Sequence, residues 1–203
     1  PGVPIYVADR ALMAQIVGFP FHRGVMAVGR RHDSPSLEEV MGPLEGKSPL
    51  TLVVCPEATQ AENLGMVFRT AAALGVDAVL LGPKSCDPLC RRALRTSMGS
   101  VLRVPFVRST DLAADLQMLK QRWNVRLAGT VLADDAESLP HVTWPDRVGL
   151  LLGNEFTGLG DEWLALCDHK VTIPMAPGTD SLNLAVAAGV FVYERMRQVL
   201  DVR

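Results

Sequence analysis

Three stretches of the sequence bring polar groups and glycines together at spacings that could serve a reaction. The first is Glu62-Asn63-Leu64-Gly65-Met66-Val67-Phe68-Arg69-Thr70. Leu64, Val67, Phe68, Ala71 and Ala72 have the spacing of a buried helix face. Gly65 and Arg69 are four apart and so lie one above the other on a single face. Gly65 lets another backbone or a ligand come close, and Arg69 projects beside that opening. The plain alternative is a helix-capping Asn63, a packing Gly65 and a solvated Arg69. The second stretch is Leu151-Leu152-Gly153-Asn154-Glu155-Phe156-Thr157-Gly158-Leu159, an apolar run ending in a glycine-rich turn that carries a carboxylate. Gly153 and Gly158 permit close approach, and Glu155 can accept hydrogen bonds from a ligand. A simple tight turn has the same composition. The Lys and Ser/Thr of a phosphate-binding loop are missing. The third runs from Ile173-Pro174-Met175 through Thr179-Asp180-Ser181-Leu182-Asn183 into Leu184-Ala185-Val186-Ala187-Ala188-Gly189. Ser181 and Asn183 place polar groups where a helix mouth leaves its first N–H groups free. An ordinary cap on an alanine-rich core helix is the other reading.

The elements that must hold these stretches alternate along the chain. Short apolar runs at 51–55, 78–81, 102–107, 126–132, 148–152 and 171–173 lack strict alternation, as strands buried on both faces do. Helices are expected at 63–74, 88–97, 110–122, 160–167 and 182–200. Asp87-Pro88 and Thr110-Asp111 supply cap signals for the second and third of these, and Thr179-Asp180-Ser181 precedes the last. Strand and helix in turn predict an α/β fold with a parallel sheet flanked by helices. Ligands in such folds sit beyond the carboxyl ends of the strands, where the second and third stretches fall. Residues 1–34 have a different texture, with apolar pieces broken by Gly and Pro and a basic cluster of His22, Arg23, Arg30, Arg31 and His32. A short helix is expected near 36–41, where Ser36 and Glu39 have capping-box spacing, and 35–49 is expected to be a linker. The 203 residues then divide into 1–34, 35–49 and 50–203.

The composition is that of a globular protein, 48% hydrophobic and 21% charged, with a net charge of −2. It excludes a strongly basic coat for packaging nucleic acid, but not a local RNA-binding patch. No apolar run is long enough to span a bilayer and no secretory leader is visible, so the expected location is cytoplasmic. Cys55, Cys86, Cys90 and Cys167 lack paired zinc spacing and read as small buried hydrophobes, so no metal is expected.

Taken together, the three stretches resemble the SpoU/TrmH branch of the SPOUT methyltransferases, over roughly 50–203. The likeness rests on Asn63-Leu-Gly65 with Arg69, on Leu152-Gly153-Asn-Glu155-x-x-Gly158-Leu159, and on Ile173-Pro174-Met175 with Ser181-Leu182-Asn183. Leu166-Cys167-Asp168-His169 and Ser97-Met-Gly99-Ser100 before Val104-Pro105-Phe106 also match. The resemblance implies a C-terminal trefoil knot, a homodimer with active sites at the subunit interface, and S-adenosyl-L-methionine as methyl donor. It implies that Gly153, Ile173, Leu182, Thr130, Met175 and Gly158 bind the cofactor. Asn63, Arg69, Glu155, Ser181 and Asn183 would then form the catalytic side. Two positions depart from the family pattern: Ala185 stands where many relatives have Ser, and Phe156 where Gly is frequent. Residues 2–27 resemble the end of the small ribosomal-protein-like RNA-binding domain that precedes the catalytic domain in many relatives.

The expected reaction is methyl transfer to a ribose 2′-hydroxyl of rRNA or tRNA. The alternatives are a catalytically silent RNA-binding or ribosome-assembly factor on the same scaffold, and a base-methylating enzyme. Arg69 is implied as the base, but arginine keeps its proton, so alkoxide stabilisation or phosphate binding are open roles for it. Met66, Ala73, Val190 and Tyr193 are candidates for the dimer contact. Arg91, Arg92 and Arg95 share one helix face and could bind RNA phosphates; a solvated face has the same pattern.

Overall fold

The structure, a computed structural model, describes residues 2–21, 24–154, 156–178 and 181–201. Contacts divide the chain into two units, residues 1–33 and 34–203. The first contains helix α1 (Arg10–Val17), which the sequence reading did not anticipate. Its signals are local: Asp9 accepts from the Leu12 N–H at 2.8 Å, and Gly18 ends the helix in the left-handed conformation.

The second unit is built on seven strands: β1 (Leu50–Cys55), β2 (Ala78–Leu81), β3 (Phe106–Arg108), β4 (Arg126–Thr130), β5 (Glu137–Ser138), β6 (Arg147–Leu151) and β7 (His169–Thr172). They form one sheet in the order β3-β2-β1-β6-β4-β7-β5, and every neighbouring pair is parallel. Alternate residues of β1 enter opposite layers. Val53 and Cys55 pack with Leu64, Phe68, Ala188 and Phe191, whereas Leu50, Leu52 and Val54 pack with Leu116, Leu119 and Trp123. Burial on both faces explains why β1 reads as a continuous apolar run. The first layer comes from α3 (Ala61–Ala73) and α7 (Leu184–Asp201); the second comes from α2 (Leu37–Met41) and α5 (Leu112–Trp123). Residues 35–49, expected as a linker, contain α2 with its Ser36–Glu39 capping box, and Leu37, Val40 and Met41 are buried in the second layer.

Three elements differ from expectation, one of them the helix expected at 160–167, which is reduced to Asp161–Leu164. The strand expected at 102–107 begins only at Phe106, since residues Ser100–Leu102 form a 3-10 turn and Leu102 is exposed. The helix expected at 88–97 is α4 (Arg91–Thr96), because the Asp87 carboxylate accepts from the Leu89 N–H at 3.0 Å and makes a turn of its own instead of capping a helix. The short helix α6 (Asp161–Leu164) lies between β6 and β7.

The two ends of the sheet are built differently. At the amino ends of β1 and β6, Arg195 of α7 is 4% exposed and donates to the Asp146 carbonyl at 2.7 Å and to Thr51 Oγ1 at 3.3 Å. Burial lowers its pKa, while Asp146 and Asp77 oppose that shift. Arg147 donates nearby to the Trp123 carbonyl at 2.8 Å. This end is a closed polar clamp. The carboxyl ends of β4, β6 and β7 open instead into three loops.

Candidate functional site

Those three loops enclose a cavity of about 510 Å³, within the usual range for a small-molecule site. All six expected cofactor residues line it: Thr130, Gly153, Gly158, Ile173, Met175 and Leu182, and Ser181 joins them. Its walls mix aliphatic side chains such as Leu152 and Val131 with loop backbone. That lining suits a ligand with a flat heterocycle and several polar groups.

Each wall has a reason for its shape. The 153–158 turn closes on itself, with Asn154 N–H donating to the Gly158 carbonyl at 2.7 Å and Gly158 N–H returning to the Asn154 carbonyl at 3.0 Å. Gly158 has φ of 71°, a conformation that disfavours a side chain. A Cβ on Gly153 would sit 2.5 Å from the Gly158 carbonyl carbon, so this glycine is required by the turn itself. Asn154 Nδ2 anchors the turn to the Glu57 carbonyl at 2.8 Å. Thr130 Oγ1 donates to the Leu151 carbonyl at 2.9 Å and ties the ends of β4 and β6 together.

The wall from β7 is held by Asp168. Its Oδ2 accepts from the Leu127 N–H at 2.8 Å, and Lys120 and Arg126 reach its Oδ1 at 3.0 and 3.2 Å. Burial works against its ionisation, but the Leu127 N–H, Lys120 and Arg126 outweigh it and hold the carboxyl below its ordinary range. The neighbouring Cys167 thiol is pushed up to about 12 by burial and by the Asp168 charge, so it stays a thiol. Lys170, which the sequence reading did not single out, lines the cavity and pairs with Asp135 at 2.9 Å.

The expected catalytic residues fall differently. Asn63 is not a cap: it is the third residue of α3, is 3% exposed, and its Oδ1 accepts from Asn183 Nδ2 at 2.9 Å across 120 residues of sequence. Asn183 Oδ1 in turn accepts from the Ala185 N–H at 2.9 Å and so opens α7. The two amides lock the starts of α3 and α7 together beside the cavity wall at Leu182 and Leu184. Gly65 faces α4 rather than a ligand, since a Cβ there would lie 2.7 Å from the Ala93 carbonyl and closer still to Thr96 Oγ1. Arg69 does not line the cavity. It is exposed, in a stripe with Met66 and Ala73 along α3. Glu155 lies outside the described residues.

The Gly65 contact sets α4 beside α3. Arg91, Arg92 and Arg95 are exposed on it, and Arg92 pairs with Glu62, the neighbour of Asn63. Among the described residues no three His, Cys, Asp or Glu side chains gather as a metal site, and no helix is long and apolar enough to cross a membrane.

Known proteins share this arrangement. Residues 50–193 match the SpoU rRNA methylase family. An uncharacterized tRNA/rRNA methyltransferase of Mycobacterium bovis is 41% identical over 199 residues, covering 97% of the chain and 67% of that relative. The 23S rRNA (guanosine-2′-O-)-methyltransferase RlmB of Acinetobacter baylyi is 33% identical over 199 residues, covering 98% of the chain and 80% of the relative. Among solved structures, an AdoMet-bound rRNA methyltransferase from Sinorhizobium meliloti superposes with a TM-score of 0.79 at 28% identity, over 94% of the chain and 70% of that structure. The chain therefore spans about two thirds of the length of the mycobacterial relative.

Proposed function

This chain belongs to the SpoU rRNA methylase family and is an S-adenosylmethionine-dependent RNA methyltransferase domain, and from that premise we propose that it methylates a ribose 2′-hydroxyl of ribosomal RNA in the cytosol. The observation that carries the reading is the cavity at the carboxyl ends of β4, β6 and β7, lined by all six residues expected to hold the cofactor. Ribosomal RNA is favoured over tRNA because RlmB, named for its action on 23S rRNA, matches over 98% of the chain.

S-adenosylmethionine supplies an electrophilic methyl group on a sulfonium, so neither a metal nor a redox group is required. The chain's task is to hold the acceptor oxygen in line and ease the departure of its proton. Leu152, Ile173, Met175 and Leu182 would offer an adenine apolar walls, and the backbone of Gly153 and Gly158 would offer polar groups. Asn63 and Asn183 are positioning residues, because their amide groups bond each other. Ser181, at the cavity wall, and Glu155, two residues after Gly153 in sequence, are the groups we assign to orient the ribose hydroxyl. The Arg69 guanidinium would serve as a hydrogen-bond donor to the oxygen that loses its proton.

Arg69 lies outside the cavity lining of its own chain, and we read a second copy as the one that receives it. Met66, Arg69 and Ala73 on α3, with Val186, Val190 and Tyr193 on α7, form one exposed and largely apolar face. We read it as the homodimer interface that brings Arg69 to the partner's cavity, which light scattering checks. A C-terminal trefoil knot is supported by the return of α7 to α3 from β7, which lies beyond β4.

The test is methyl transfer from labelled S-adenosylmethionine to RNA of a strain lacking the protein, followed by mapping. The expected product resists alkaline cleavage at one ribosomal RNA nucleotide. Label in tRNA alone would redirect the substrate; label on a base would exclude the ribose reading; no label at all would favour the silent RNA-binding factor.

A further inference from the structure

At the rim of the cavity one aromatic ring stands in water. Phe156 lines the cavity and is 78% exposed, whereas the other aromatic residue lining it, Phe191, is 3% exposed. The backbone beneath the ring is fixed. Phe156 N–H donates to Asn154 Oδ1 at 2.8 Å, Asn154 is bonded both ways to Gly158, and its Nδ2 is anchored on the Glu57 carbonyl. The ring is therefore presented from a held turn, at the mouth of the site, with no packing role inside the protein. Scattered apolar residues are common on protein surfaces; what sets this one apart is its place on the lining of the cavity.

RNA recognised by sequence is mostly recognised in single-stranded loops, where bases are splayed out and lack stacked neighbours. An exposed aromatic side chain replaces one of them. We propose that Phe156 is a stacking platform for the base of the target nucleotide, a positioning residue for the ribose; this inference rests on the ribose-methylation reading above. Every base has a π-face, so the ring holds the nucleotide without selecting its identity.

The experiment compares Phe156→Ala, Phe156→Leu and Phe156→Trp with the wild type. It measures S-adenosylmethionine affinity by calorimetry and methyl transfer against RNA concentration, using RNA from a strain lacking the protein. The substituted ring is exposed, so thermal unfolding should not change. Loss of one base–aromatic stack predicts a KM for RNA raised about ten- to a hundredfold in the Ala and Leu variants. Trp should restore it, and cofactor affinity should be that of the wild type in all three. Leu performing as well as Phe overturns the stacking claim, because it keeps the apolar bulk. A cofactor affinity that falls in parallel with RNA affinity assigns the ring to the cofactor and overturns it as well. An active wild type matched by the Ala variant defeats this inference alone; a wild type that transfers no methyl group to RNA defeats the ribose reading with it.

Discussion

Removing the Asp168 charge should loosen β7 and, through it, the cofactor wall. The carboxylate is 14% exposed at its side chain and makes three contacts that join β7, β4 and α5. Asparagine keeps an oxygen for the Leu127 N–H but turns a charge-assisted bond into a neutral one, a loss of about 1 kcal/mol. Lys120 and Arg126 have side chains 33% and 57% exposed, so solvent screens them and each contributes only about 0.2–1 kcal/mol. Asp168→Asn should therefore cost about 2 kcal/mol at pH 7, a drop in Tm of roughly 4–8 °C for a domain of this size. The carboxyl is held below its ordinary value in the folded state. Its contribution is thus complete above the unfolded pKa of about 3.9 and disappears as pH falls through the folded value. Thermal unfolding of both proteins from pH 7 downward should show a constant gap that narrows only below about pH 4. Calorimetry at pH 7 should show weaker S-adenosylmethionine binding, since Ile173 and Met175 follow directly on β7. Equal Tm values at pH 7, or a gap that closes already near pH 6, would refute the reasoning.

Gly65→Ala should destabilise the protein, because overpacking against Ala93 and Thr96 costs about 1–3 kcal/mol and exceeds the gain of about 1 kcal/mol in helix propensity; a rise in Tm would show that α4 yields freely. Gly153→Ala should weaken S-adenosylmethionine binding at least about tenfold, since its Cβ meets backbone 2.5 Å away and must open the turn; normal calorimetric affinity would remove this turn from the cofactor site. Replacing Arg91, Arg92 and Arg95 by Gln should flatten the salt dependence of RNA binding by about two units, Arg92 being already engaged by Glu62. An unchanged slope returns these arginines to a solvated face.

What could be read from the sequence followed from how local the controlling interaction is. The runs at 51–55 and 78–81 announced β1 and β2 because both faces of those strands are covered, leaving Thr51 as their one polar residue. The run at 102–107 misled because its apolar residues serve different ends: Val104 is buried from a turn, while Leu102 faces water. β5 has two residues and carries no periodicity to detect. The cavity-lining residues were legible because a family pattern of loops encodes them. Arg195 was not, because a lone arginine in a helical pattern reads as surface, and only the tertiary meeting with Asp146 and Thr51 buries it. The Asn63–Asn183 bond was equally hidden, since nothing local in either motif says that the two amides face each other. Gly65 left open whether a ligand or a backbone approaches it, and the answer came from α4.

The cavity has a property that concerns the making of the protein rather than its use. Every residue lining it lies between Thr130 and Phe191, and none comes from β1, β2, β3 or the helices among them. A nascent chain emerging from the ribosome amino end first can assemble one half of the sheet while owning no part of the ligand site. The last lining residue belongs to α7, and that helix is fastened by Arg195 at the far end of the sheet only four residues later. Leu184, Ala187 and Phe191 of α7 complete the lining, so the site is whole only once that helix has been made and has folded back.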